Sequence, residues 1–124
     1  MVRGLLSAGR LVAWLALLVP LALASACASP TLPLPPPETP DLAPGVDTDH
    51  VTLSGACNSA DPNAVIVIVN TNPGVPDDKA VSGAIVGACG SWDASVYAHN
   101  GDVLDITEEI GTTRSQPLTF QVQE

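Results

Sequence analysis

Basic residues are almost missing from this chain. Its 124 residues hold four Lys and Arg against thirteen Asp and Glu, a formal net charge of −9. Arg3 and Arg10 stand near the start, so the part beyond residue 26 keeps only Lys79 and Arg114 against all thirteen acids. A surface of this sign repels phosphate backbones and anionic bilayers, which excludes nucleic acid as a partner. Large aromatics are scarce too. Beyond residue 26 there are only Trp92, Tyr97 and Phe120, so a domain built here has little bulk for a core and needs a covalent staple. The signatures of chemistry are also missing. No H-E-x-x-H, C-x-x-C or G-x-S-x-G occurs, which removes the usual zinc sites and the serine-nucleophile elbow. Cys89-Gly90-Ser91-Trp92 echoes a cysteine-protease motif but lacks its second Cys and the downstream His and Asn. His50 and His99 have no companions at metal-ligand spacing and are expected to face solvent on strands. The adjacent acids Asp77-Asp78 and Glu108-Glu109 would point to opposite faces of a strand, a poor geometry for an acid–base pair. No catalytic residue, metal ligand or cofactor is expected. Calcium at Asp47-Thr48-Asp49 is the one ligand to weigh, although the third acid and the Gly of an EF-hand do not follow.

An uninterrupted membrane span is absent as well. The apolar stretch Leu11 to Leu23 is broken by Pro20, whereas a transmembrane helix needs about 20 apolar residues in a row. What stands there is a basic head, a short apolar segment and the small residues Ala24-Ser25-Ala26, the pattern of a secretory signal peptide. Cys27 follows directly. Ala24-Ser25-Ala26-Cys27 resembles the lipobox of bacterial lipoproteins, which implies a lipid on the Cys27 thiol and cleavage before it. A signal cut without lipidation is the alternative. Residues 1–26 would be lost, leaving 98 of the 124. Ala28 and Ser29 lack the Asp that resembles an inner-membrane retention signal, so the implied address is the outer membrane or cell surface. The cysteine count agrees with this reading. An odd thiol in an exported chain needs an explanation, and a lipid on Cys27 leaves Cys57 and Cys89 to pair where disulfides persist. A bridge closing about 33 residues contributes roughly 3.5 kcal/mol by the chain-entropy estimate.

From Ser29 to Asp47 the chain carries Pro30, Pro33, Pro35-Pro36-Pro37, Pro40 and Pro44. Each proline fixes its φ and removes a donor, so neither a helix nor a central strand is expected. Extended polyproline II at about 3.1 Å per residue would make a spacer of roughly 60 Å at most. The expected organisation is therefore a signal peptide at 1–26, a lipid-anchored proline-rich linker at 27–48 and a folded domain at 49–124.

The domain reads as strands throughout. His50 to Ser54 alternates, and Ala64 to Val69 is a continuous β-branched run expected to be a centrally buried strand. Asn72-Pro73-Gly74 and Pro76-Asp77 are turn chemistry. Ala80 to Ala88 is a third run. From Ser91 to His99, Trp92, Ala94, Val96 and Ala98 share one face, and Asp93, Ser95, Tyr97 and His99 the other. Asn100-Gly101 predicts a type I′ hairpin, with Asp102 to Glu108 pairing back. A short strand near Ile110 to Thr113 and a last one over Pro117 to Gln123 complete an all-β sandwich of about seven strands. Trp92 is expected to be buried between its sheets, the alanines beside it leaving room for the ring.

Val51-x-Leu53-x-Gly55, Ala64-x-Ile66-x-Ile68, Gly90-Ser91-Trp92-x-Ala94-x-Val96, Gly101-Asp102 and Ser115-x-Pro117 stand in an order that resembles the bacterial immunoglobulin-like domains of surface proteins and adhesins. The resemblance covers residues 49–124. It implies an immunoglobulin-like β-sandwich that binds or displays and performs no catalysis, with a protein or carbohydrate ligand at the cell surface, while the lipobox resemblance implies the tie to a membrane through an N-terminal lipid. The competing expectation is a periplasmic inhibitor or accessory protein that acts on another enzyme through its loops.

Overall fold

The computed structural model describes residues 32–123. The expected signal peptide, Cys27 and the first residues of the expected linker lie outside the described residues. The chain from Pro33 onward forms one compact unit. Its strands are β1 (Asp41–Pro44), β2 (His50–Gly55), β3 (Val65–Asn70), β4 (Val81–Ile85), β5 (Trp92–Tyr97), β6 (Val103–Ile110), β7 (Thr113–Arg114) and β8 (Leu118–Gln121). A three-stranded sheet has the order β1-β2-β5. A five-stranded sheet has the order β4-β3-β6-β7, with β8 also paired to β6. Every pairing is antiparallel. This is an all-β sandwich of two antiparallel sheets.

Period-two alternation explains which residues fill it. Val51 and Leu53 of β2, with Trp92, Ala94 and Val96 of β5, turn inward from the smaller sheet. Ile66 and Ile68 of β3 and Leu104 and Ile106 of β6 meet them from the larger one. Trp92 is 4% exposed, as its alternation predicts. Its Nε1 finds no hydrogen-bond partner. Gly55 makes room for it, because a Cβ there would lie 2.3 Å from Trp92 Nε1 and 2.2 Å from Ser59 Oγ.

Cys57 and Cys89 are bonded, with Cα atoms 4.9 Å apart. The bridge ties the β2–β3 loop to the β4–β5 turn, and backbone bonds reinforce it. Asn58 N donates to Cys89 O at 2.7 Å and Ala60 N to Gly90 O at 3.2 Å. Gly90 has φ of +86°, and a Cβ on it would sit 2.5 Å from Ala60 O. Only glycine lets the two loops lie this close.

Three expectations need correction. The proline-rich segment does not stop short of the domain. Asp41–Pro44 pairs with β2 from Asp41↔Ser54 to Pro44↔Val51, Pro37 and Pro40 are buried, and Glu38 N donates to Ser59 O at 2.9 Å. An outermost strand uses only some of its donors, so prolines are tolerated there. The folded unit accordingly begins at Pro33 rather than Asp49. Second, Asn100-Gly101 does not close a hairpin. β5 pairs with β2 while β6 pairs with β3, so the turn crosses from one sheet to the other. Gly101 alone of the two has positive φ, where type I′ needs both. Asn70 holds this crossing in place. The buried amide donates through Nδ2 to Tyr97 O at 2.9 Å and Asp102 Oδ2 at 2.8 Å, and Asp102 Oδ2 also accepts from His99 N at 3.0 Å. Third, β3 is buried on one face only. Ile66 and Ile68 are enclosed, but Val65 is 41% exposed on the outer face.

Candidate functional site

Two clusters of polar side chains emerge from this frame. The first sits at one end of the core. The inward positions of β6 run Leu104, Ile106, Glu108, so alternation drives a carboxylate into the interior, where Glu108 is 1% exposed. Its Oε1 accepts from Asp61 N at 2.6 Å. Its own N–H donates to Ser115 Oγ at 2.9 Å, and that hydroxyl donates on to Gln116 O at 2.9 Å. Burial raises the Glu108 pKa above the ordinary carboxylate value, and the neighbouring Asp61 charge pushes the same way; the bond from the Asp61 amide opposes them. A cavity of about 220 Å³ opens beside this carboxyl, walled by Pro35, Pro36, Glu38, Asn58 and Asp61. Glu109 points the other way and pairs with Arg114, so the two adjacent acids occupy opposite faces as their spacing predicts. Asp77 and Asp78 differ. They lie exposed in a 3₁₀ turn, Asp77–Lys79, and not on a strand.

The second cluster lies on the outer face of the smaller sheet. The β2–β5 register sets His50 opposite Tyr97. The Tyr97 ring meets His50 edge-on at 5.6 Å and His99 edge-on at 5.3 Å, with Lys79 Nζ 5.0 Å from its centroid. Each histidine takes one carboxylate: His50 Nδ1 and Asp47 Oδ1 are 2.6 Å apart, His99 Nε2 and Asp49 Oδ1 3.1 Å. The hydrogen bond from His50 holds the Asp47 carboxyl below its usual pKa. Asp47 Oδ1 also accepts from Asp49 N at 3.0 Å, so Asp47 and Asp49 close a turn and engage different histidines rather than facing one centre. Among the described residues, no three His, Cys, Asp or Glu side chains converge as a metal site would require.

Sequence reading placed His50 and His99 separately and did not join them. The signal was there in part, since Tyr97 and His99 fall on one side of the alternating run Ser91 to His99, although β5 itself ends at Tyr97. Their union with His50 depends on which strand lies alongside, and that is a tertiary fact. No family model, no curated protein and no solved structure matches the chain.

Proposed function

We propose that this is a cell-envelope lipoprotein, anchored through Cys27, that displays a single non-catalytic immunoglobulin-like module. The observation that carries the reading is the sequence Ala24-Ser25-Ala26-Cys27 behind a short apolar segment, followed within a few residues by a compact, disulfide-closed sandwich. A disulfide suits an exported protein. The histidine–carboxylate pairs support binding over chemistry, because they lie on an open strand surface. The Glu108 carboxyl is committed to a backbone amide, which suits a structural role. The implied address is the outer membrane or cell surface.

Feeding cells a radioactive fatty acid and following the mature protein tests the anchor. Label should enter the wild type and vanish in Cys27→Ser. Label that persists in the variant, or never enters the wild type, ends the lipoprotein reading. A second reading, an accessory or inhibitory protein that grips another protein, gains support from one observation. Val81 and Ile85 are large apolar side chains left exposed on an outermost strand.

A further inference from the structure

The sandwich has strands at four sheet edges, and three carry features that discourage another strand from pairing. β1 is preceded by Pro40, bears Asp41 and ends at Pro44. β5 exposes Asp93. β8 has four residues and follows Pro117. β4 is different. Val81–Ile85 reads VSGAI, with no charge and no proline, and it is one outermost strand of the larger sheet, β7 and β8 forming the other edge.

Its backbone is turned for pairing. Val86 N donates to Ala64 O and Asn70 N to Ala80 O, at 2.9 and 2.8 Å. Antiparallel ladders alternate, so the even-numbered residues of β4 face β3 and the odd-numbered ones face away. Val81, Gly83 and Ile85 thus direct their N–H and C=O groups to the open edge. The side chains of the same residues stand on the outer face, Val81 61% and Ile85 80% exposed, beside Val69 and Val65 of β3. An open edge and an apolar stripe coincide.

Charge selects the occupant. Exposed Asp77 and Asp78 precede β4, and exposed Asp93 follows the turn that leaves it. The two cations of the folded unit are engaged elsewhere, Lys79 over the Tyr97 ring and Arg114 with Glu109. A second copy would bring the same surplus of acids and no cation to answer it. We infer that the β4 edge takes up an extended segment of a partner protein in which apolar residues alternate with Lys or Arg, adding it as a further strand. This deepens the display reading by naming the surface at work, and it rests on that reading only for the claim that a partner exists.

The probe is a seven-residue peptide alternating Lys and Val, with Lys/Ser and Glu/Val peptides as controls. The full chain, purified in a nonionic detergent, is titrated with each while amide exchange is followed residue by residue. Detergent removes the anchor from the question, so failure of fatty-acid labelling and failure here are separate results. The Lys/Val peptide should bind and slow exchange at Val81, Gly83 and Ile85, while Ser82 and Ala84 are protected from the outset. Val81→Lys with Ile85→Lys should weaken binding by about tenfold or more. Val81→Thr with Ile85→Thr, which keeps β-branched residues on the strand, should weaken it less. Equal binding of the Lys/Ser peptide, protection away from β4, or no binding would overturn the inference. So would a dimer of the chain, seen by sedimentation, that the Lys variants dissolve.

Discussion

Replacing Trp92 probes the core where it is most concentrated. The ring is almost wholly enclosed between the sheets, wedged over Gly55. Trp92→Ala deletes that ring and leaves a cavity, a change that costs about 3–5 kcal/mol in close-packed interiors. In a domain of this size each kcal/mol moves the melting midpoint by about 4–8 °C, so a drop of roughly 15–30 °C is expected. Trp92→Phe separates packing from hydrogen bonding. The buried Nε1 has no partner, so losing it forfeits no bond and removes a desolvation penalty of about 1–3 kcal/mol. That gain offsets much of the smaller void, and the Phe variant should lose no more than about half of what the Ala variant loses. Thermal unfolding followed by circular dichroism reads both. A drop below about 5 °C for Trp92→Ala would show that the ring is not a core element. A Phe variant as unstable as the Ala variant would show that the indole N–H is bonded after all.

Two further outcomes follow from the loops and from β6. Reducing the Cys57–Cys89 bridge, or replacing both residues by Ser, should cost roughly 3.5 kcal/mol; an unchanged midpoint in reductant, with free thiols confirmed by mass spectrometry, would show that the bridge constrains nothing. Glu108 has a raised pKa when folded, so the folded state binds its proton more tightly than the unfolded chain does. Its contribution therefore favours folding as pH falls through the raised value toward the ordinary one, and is lost as pH rises back. Glu108→Gln should be more stable than wild type at neutral pH, with the advantage shrinking toward pH 4.5 in urea titrations; a gap that widens on acidification would reverse the assignment.

Much of the sandwich was legible because alternation is a local property. His50 to Ser54 and Ser91 to His99 show their buried faces in the letters alone, and Trp92 lies where that pattern puts it. The failures share a cause. β1 was hidden because seven prolines argue against a strand, although an outermost strand tolerates them. Asn100-Gly101 signals a turn but not what the turn joins; the answer lies in Asn70, thirty residues upstream and linked to Asp102 only through the fold. The run Ala64 to Val69 is apolar on both faces, so its letters cannot reveal that one face is left open. Alternation says that Glu108 and Glu109 face opposite ways but not which one faces inward, and that is decided by how β6 packs.

The docking of Pro33–Pro44 against the sandwich changes the geometry of any anchor at Cys27. With that segment taken into the fold, five residues, 28–32, separate Cys27, the position proposed to carry a lipid, from the folded unit. At about 3.5 Å per residue such a leash reaches roughly 20 Å, less than the length of β6, an eight-residue strand of about 27 Å. Under the proposed lipidation at Cys27, such a leash would keep the module within about its own length of the bilayer, and a partner would have to reach down to that level.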